Sequence, residues 1–569
     1  MMTLTDLIPA LLLPCILTVL AVPLGEFMSK VYSGGHTFLS PILRPPERLL
    51  YRLFGIDESE EMSWKTYAWS FVVFNVIGIV ALFLLQRLQG LLPFNPSGFG
   101  PVRWDTALNT AVSFVTNTNW QSYSGEQTMS YLTQMLGLTV QNFLSAAAGL
   151  APAIALIRGF SRKGSKTIGN FWVDLTRSIL YILLPLAVLW SLVLVSQGVV
   201  QTLNAPIDAW TPGGQKQVIS VGPVASQEAI KQLGTNGGGF FNTNASHPFE
   251  NPTPLTDFMG VLGLLLLPAA LPFTLGAMLN NRRQGWTIFA SMMALYLMGS
   301  GIILWAEMQG NPLLEKIGVM NGINLEGKEV RFGIINSVLF AQSTTATSCG
   351  AVNSLHDSLM PLSGLILIFN MAIGEVIFGG VGTGLIGMLI YAILTMFLAG
   401  LMIGRTPEFI GKKLESSEMV MSLIVILSPA LLLLMMSSVA ISTQAGLSGL
   451  SNPGPHGLSE IVYAYASASG NNGSAFGGLN ADSLFYNLTT SLAMLVGRFS
   501  TILPALAIAG SLAGKKIVPV STATFPTTGT LFIVMLVSVV IVVGALTFFP
   551  LFTLGPFLEH LLMTAGKTF

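Results

Sequence analysis

Long apolar runs alternate with polar stretches along the whole chain. Runs near 6–29, 66–86, 128–157, 178–200, 257–279, 286–308, 355–404, 418–443, 482–511 and 529–553 each reach the length a helix needs to cross a bilayer, about 18–20 residues. The seventh is too long for one simple crossing and is interrupted by the glycine-rich string FGGVGTG at Phe378–Gly384. Read as one broken helix, it brings the number of predicted spans to ten.

The loops between spans two and three, four and five, six and seven, and eight and nine break the pattern in the same way. Each holds a weakly apolar stretch, too short to cross, that runs into a polar turn: TNTN at Thr116–Asn119, GTNG at Gly234–Gly237, TSCG at Thr347–Gly350 and GNNG at Gly470–Gly473. The last positions of these turns are 118, 113 and 123 residues apart, a near-constant period that marks internal duplication. The predicted unit is helix, half-helix, polar turn, helix. The chain divides accordingly into a first span with its loop (1–65), four repeats (66–165, 166–284, 285–413 with a broken second helix, and 414–515) and a last span (516–569).

Composition agrees with a membrane assignment. The 569 residues are 52% hydrophobic and only 9% charged, against about a quarter charged in soluble domains; mean hydropathy is +0.68. The fold class predicted is an all-α polytopic membrane protein, about ten spans with four pseudo-repeated pore-loop units around one central pore. Net charge is zero, which gives no footprint for nucleic acid. The N-terminal run has Asp6 and no Lys or Arg before it, so it reads as a retained helix rather than a signal peptide. Cys15 and Cys349 imply no disulfide framework.

Alternate loops carry 17 of the 26 basic residues, and the other side carries 8. The positive-inside rule puts the 17 in the cytoplasm and both termini outside. With FGGVGTG separating two full crossings, the later basic loops would fall on the wrong side, so the charge pattern favours a re-entrant break. All four polar turns then enter from the outer side.

Irregular backbone at membrane depth is tolerated where it is packed in protein or lines a wet path. Four such turns around a common axis would aim backbone carbonyls at one line, as in a cation selectivity filter. Glycine at the last turn position (Gly237, Gly350, Gly473) reaches backbone angles closed to most residues, and Asn119 is the next most tolerant type. Each half-helix also ends at its turn, placing the negative end of its dipole there. No turn carries Asp or Glu. Neutral oxygen sites suit a monovalent ion and by themselves favour potassium over sodium only slightly. The plainer alternative is four exposed loops with Asn and Gly as turn formers.

Four helix–pore-loop–helix repeats in one chain resemble the superfamily of bacterial and fungal potassium transporters. The strings TNTNW, GTNGGGFFN, TSCGAVN and SGNNGSAFGG, with the ten-span layout, resemble the KdpA family, one of the component chains of potassium-transporting ATPases. The resemblance covers essentially the whole chain. It implies high-affinity potassium uptake at a bacterial inner membrane, with K+ as cargo and no covalently bound cofactor. It implies ion-binding loops at Asn117, Thr118 and Asn119; Thr235, Asn236 and Gly237; Ser348, Cys349 and Gly350; and Asn471, Asn472 and Gly473. It also implies partners: a catalytic P-type ATPase chain (KdpB), a single-span chain (KdpC) and a small chain (KdpF), within membrane lipid.

The chain itself lacks the DKTG-type loop of a phosphorylated ATPase. The GKT at Gly566–Thr568 is not a P-loop, because the earlier glycine position, 561, is Leu. Energy then comes from another protein chain or an ion gradient; uptake by this chain without partners would separate a pump component from a stand-alone channel or symporter. An intramembrane hydrolase is disfavoured, since Cys349 has no histidine in its turn. His36, His247, His356, His456 and His560 show no metal-ligand spacing and read as solvated or structural.

Two further devices stand out. Glu375 and Arg498 each lie 25 residues after the last turn position of their repeats, within apolar runs where charge is costly and usually paired. They are expected as a pair near the inner end of the pathway or as a purely structural contact. Gly379, Gly380, Gly382 and Gly384 are expected either to form a gate loop below the filter or to mark a packing kink. Gly322, in a loop expected to be exposed, is the matching control for substitutions at Gly237.

Overall fold

The structure is a computed structural model that describes residues 7–319, 324–404, 407–518 and 525–567. Gly322 and Arg405 lie outside the described residues. Among the described residues, ten helices are long and apolar enough to cross a membrane, and the chain is a multi-pass membrane protein. In chain order the main elements are α1 (Ile8–Tyr32), α2 (Ser40–Phe54), α3 (Trp64–Leu88), α4 (Trp104–Val115), α5 (Thr133–Ser161), α6 (Phe171–Ser196), α7 (Val224–Leu233), α8 (Pro254–Met278) and α9 (Arg282–Met308). They continue with α10 (Gly333–Ala346), α11 (Pro361–Ala372), α12 (Thr383–Ile403), α13 (Ser416–Ile441), α14 (Gly454–Gly470), α15 (Leu484–Gly514) and α16 (Thr530–Phe552). An antiparallel hairpin, β1 (Ile207–Trp210) and β2 (Lys216–Ile219), projects from the loop between α6 and α7.

Polar residues start the long helices where the chain enters the apolar layer. Ser63 accepts from the Thr66 amide, Asn170 from that of Trp172, and Ser483 from that of Tyr486. Thr253 forms a reciprocal capping box with Thr256, so the first orphan amides of these spans are satisfied. Small residues then let helices close. A Cβ on Gly25 of α1 would sit 2.5 Å from the Ala270 carbonyl of α8, and one on Gly159 of α5 would sit 2.7 Å from Ala509 of α15. With little hydrophobic drive between helices in lipid, this contact is where packing energy comes from.

Burial separates two layers. The α5 and α8 spans are almost wholly enclosed, while α1, α3 and α13 turn most of their surface outward. The enclosed centre also receives the short helices α4, α7, α10 and α14, all largely buried. On the face opposite the hairpin, buried ion pairs fix the loops: Arg158 donates to Asp174 at 2.6 Å, and Arg177 to Glu47 at 2.9 Å.

The seventh span is broken, but earlier than the glycine string suggested. α11 ends at Ala372 and α12 starts at Thr383, so the irregular segment is 373–382. Gly384 lies inside α12, and Glu375 lies in the break itself with φ +53° rather than on a helix. Gly374, at φ +84°, turns the chain out of α11.

Candidate functional site

Each short central helix ends in its polar turn, and the four ends repeat one geometry. The amides of Thr118, Asn236, Cys349 and Asn472 donate to the carbonyls five residues earlier, those of Ser113, Lys231, Thr344 and Ser467, at 2.9, 3.0, 3.2 and 2.8 Å. Two residues before each last turn position the backbone is left-handed: Asn117 (φ +62°), Thr235 (+47°), Ser348 (+27°) and Asn471 (+60°). The last position is left-handed again at Asn119 (+58°), Gly237 (+107°) and Gly473 (+97°). Gly350 departs from this expectation, as its φ is not positive. It is glycine for lack of room: a Cβ there would lie 2.7 Å from the Gly473 carbonyl carbon, and one on Gly237 would lie 2.0 Å from the Gly350 amide.

Those contacts bring all twelve predicted turn residues together. Hydrogen bonds close a ring around them. Asn117 Nδ2 donates to the Thr235 carbonyl at 3.1 Å, and the Gly350 amide to the Asn236 carbonyl at 3.2 Å. Asn472 Nδ2 donates to the Thr344 carbonyl at 2.9 Å, and Asn471 Nδ2 to Thr118 Oγ1 at 2.9 Å, joining the fourth turn to the first. Behind the ring, Asn236 and Ser145 both donate to Asn117 Oδ1, at 2.6 and 2.7 Å. The Cys349 side chain is buried and free. No ionisable carboxylate or ammonium belongs to any turn, so the donors offered to a cation are neutral oxygens.

On the hairpin side, the residues just past the turns, Trp120, Val352 and Phe476, line a vestibule of about 730 Å³. On the other side a cavity of about 30 Å³ lies between Asn117, Ser348 and Asn471 of the turns and Gly374, Thr383 and Arg498, room for roughly one water-sized species. The break of the seventh span forms its floor. The Gly379 amide donates to the Ala346 carbonyl at 2.8 Å, and the Val381 amide to Thr235 Oγ1 at 3.0 Å. A Cβ on Gly380 would lie 2.9 Å from that of Ser348, and one on Gly382 would lie 2.0 Å from the Gly149 carbonyl. Of the predicted gate glycines, Gly380 thus presses against the third turn and Gly382 against α5, Gly379 and Gly384 pack on each other, and Val381 ties the break to the second turn.

Glu375 and Arg498 do not form the expected ion pair. Neither Glu375 oxygen makes a close hydrogen bond among the described residues, though the side-chain amide of Asn472 lies beside its carboxyl, and Arg498 Nη2 donates to the Ser145 carbonyl at 3.0 Å while its Nε is unpartnered. Equal spacing from the turns set them at similar depth, but Glu375 is carried by irregular backbone beside Gly470, its carboxyl carbon 3.6 Å from where a Gly470 Cβ would be.

Long-range partners escaped the sequence reading. His456, read as solvated or structural, is structural: Nδ1 meets Glu559 at 2.8 Å and Nε2 meets Asp357 at 2.9 Å. Burial opposes its charge, but hydrogen bonds to the two carboxylates outweigh it and push the pKa up to about 10. Glu460 lies in the same cluster. His356 is buried, with Nδ1 on Tyr463 Oη at 2.7 Å, and burial pushes its pKa down to about 3. The buried Lys231, within one turn's own helix, also carried no local signal.

Comparison with known proteins adds independent support. Residues 11–561 match the family described as potassium-transporting ATPase A subunit. In Methylorubrum extorquens, a potassium-transporting ATPase potassium-binding subunit is 56% identical over 100% of this chain and 99% of its own. The protein of that description from Brucella anthropi is 54% identical, with 100% of both chains covered. Among solved structures, the potassium transporter TrkH from Vibrio parahaemolyticus shares the fold, with a TM-score of 0.53 and 13% identity over 88% of this chain and 98% of that one.

Proposed function

This chain belongs to the potassium-transporting ATPase A subunit family, and we propose that its four turns form the filter at which potassium is bound before it crosses the membrane. The ligands are oxygens of Asn117–Asn119, Thr235–Gly237, Ser348–Gly350 and Asn471–Gly473. The single observation that carries this reading is the closed hydrogen-bonded ring of four turns that share one backbone geometry. A ring held by its own side chains keeps oxygens at fixed spacing, so they can replace an ion's water shell without collapsing onto it.

In this reading the vestibule faces outward and the basic loops face the cytoplasm of a bacterial cell bounded by its inner membrane, with both termini outside. Potassium enters from the vestibule and passes the turns into the small cavity. Gly379, Gly380, Gly382 and Gly384 belong to a gate that closes the floor of that cavity. The four repeat units and two flanking spans divide at 65, 165, 284, 413 and 515. ATP is hydrolysed by a catalytic P-type partner chain (KdpB), in an assembly that also holds KdpC and KdpF.

Gly237→Ala in the assembled transporter tests the filter. Its Cβ would have to enter space held by the Gly350 backbone, at a left-handed φ. Half-saturating K+ is expected to rise by about tenfold or more, with weaker discrimination against Rb+ and Na+. Gly301, whose Cβ would meet nothing within 4 Å, replaces Gly322 as the control, and Gly301→Ala should leave both quantities unchanged. An unaltered K+ dependence in assembled Gly237→Ala would overturn the assignment.

A further inference from the structure

The four turns share a backbone, but one of them is held from behind by different chemistry. The residue six positions before each last turn position is Ser113, Lys231, Thr344 or Ser467. In three repeats its hydroxyl bonds locally. Ser113 Oγ donates to the Trp120 carbonyl at 2.9 Å, Thr344 Oγ1 to the Ala351 carbonyl at 2.6 Å, and Ser467 Oγ accepts from the Gly473 amide at 2.9 Å. In the second repeat the position is a fully buried lysine.

Lys231 Nζ donates to Asn244 Oδ1 and Glu250 Oε2, both at 2.7 Å, and also contacts Glu228. Asn244, at φ +58°, turns its amide back to the filter, and Nδ2 donates to the Gly237 carbonyl at 2.9 Å. Glu250 Oε1 accepts from the Phe241 amide at 2.8 Å, which pins the segment between Gly237 and Asn244. All three charged groups are buried. Removing one charge of such a group strands the others in low dielectric, so its geometry is held far more strictly than that of a hydroxyl contact.

We propose that Lys231 and Asn244 are positioning residues for ion selectivity. The ammonium orients the Asn244 amide, the amide fixes the Gly237 carbonyl, and the second turn is thereby the stiffest quarter of the filter. Discrimination between ions of similar size, K+ and Rb+, should therefore depend on the second repeat more than on the other three. This inference rests on the filter reading.

Asn244→Asp is the separating variant: it keeps an acceptor for Lys231 and removes the amide that this side chain donates to the Gly237 carbonyl. In the assembled transporter, with K+ and Rb+ as the ions titrated, half-saturating K+ should rise about tenfold. The preference for K+ over Rb+ should narrow by about threefold. The added buried carboxylate should lower the thermal midpoint, so K+ dependence and ion preference are read on the assembled transporter. Lys231→Met should shift the ion preference in the same direction, with lower stability. Ser113→Ala, its counterpart in the first repeat, should move the K+ to Rb+ preference less than either. Assembled Asn244→Asp with unchanged K+ dependence and ion preference overturns the inference, as does failure of both variants to assemble, which would leave the network a folding element. If Gly237→Ala also leaves K+ dependence unchanged, the filter reading fails; if Gly237→Ala shifts it and Asn244→Asp does not, only the positioning role fails.

Discussion

The turns and the broken helix beneath them lie on either side of one small cavity, yet they satisfy their polar groups in opposite ways. Above the cavity, the side-chain amides of Asn117, Asn471 and Asn472 and the Gly350 backbone amide bridge each turn to the next until the ring closes, with Asn119 Oδ1 and Asn236 Oδ1 left unpartnered among the described residues. Below it, among the described residues, the Glu375 carboxyl has no basic partner and makes no close hydrogen bond, and the Arg498 guanidinium leaves Nε unpartnered. A polar network tied neighbour to neighbour resists displacement, whereas a buried ionisable group without an opposite charge beside it favours any rearrangement or ion that partners it. The two sides of the cavity thus differ in how they are held: turn to turn in the ring, and without an ion pair between Glu375 and Arg498 in the break.

The largest effect that could break this contrast comes from crowding the ring. A Cβ on Gly473 would lie 1.7 Å from the Thr118 carbonyl oxygen, at φ +97°. Unlike a long side chain, that oxygen belongs to the backbone of Thr118, whose amide is tied to the Ser113 carbonyl and whose hydroxyl accepts from Asn471. Gly473→Ala should therefore weaken K+ binding by about a hundredfold or more, on the scale of 3 kcal/mol of strain, measured by K+ titration of the assembled transporter. Near-parental affinity would mean that the ring yields easily and that the two regions do not differ in stiffness.

A smaller effect sharpens the contrast from below. Because Glu375 and Arg498 make no ion pair, their substitutions should act independently. In a cycle of Glu375→Gln, Arg498→Gln and the double variant, coupling in thermal stability should stay within about 0.5 kcal/mol. Glu375→Gln alone should not destabilise, since it removes an unpaired buried charge, and half-saturating K+ should change by less than about threefold. Coupling of several kcal/mol would show that the two groups meet in another state and would make the break as well satisfied as the ring.

How much of this was legible in the sequence follows from how local each signal was. Ten spans could be counted because each is a continuous apolar run, and the turns because Gly and Asn recur at a near-constant period. The exact break could not: FGGVGTG drew attention to Phe378, whereas the helix already ends at Ala372, and Ile373 and Val376 gave no sign that the chain between them leaves the helix. Spacing suggested that Glu375 and Arg498 share a depth, but depth is one coordinate of three, and irregular backbone carried Glu375 toward Gly470. Glycine at 350 was anticipated for the wrong reason, since the need for it arises from the neighbouring repeat and not from its own φ. Lys231 drew no attention in the sequence, because only one of its partners, Glu228, is local; Asn244 and Glu250 come from the chain beyond the turn.

The His456 cluster at the N-terminal end of α14 predicts an effect that should touch stability and leave the ring of turns alone. His456 bridges Asp357, beside the third repeat's turn segment, to Glu559 near the C-terminus, with Glu460 alongside. Its folded pKa of about 10 lies above the usual histidine value, so the charged form is favoured by folding. That contribution is fully present below about pH 6.5 and is lost as pH rises towards 10. His356 acts in the reverse sense: neutral when buried, it costs stability as pH falls below about 6.5, because the unfolded chain takes up a proton that the folded one does not. Thermal midpoints of the parent and His456→Gln should therefore differ most near pH 6.5 and converge towards pH 10. Half-saturating K+ should stay the same in both, because the cluster holds the rim of the vestibule and not the ring. A midpoint difference that does not shrink with rising pH would remove the imidazolium from this role. A K+ affinity that follows the histidine's titration would show the rigid ring to be coupled to its rim, and the contrast between the two sides of the cavity would have to be redrawn to include it.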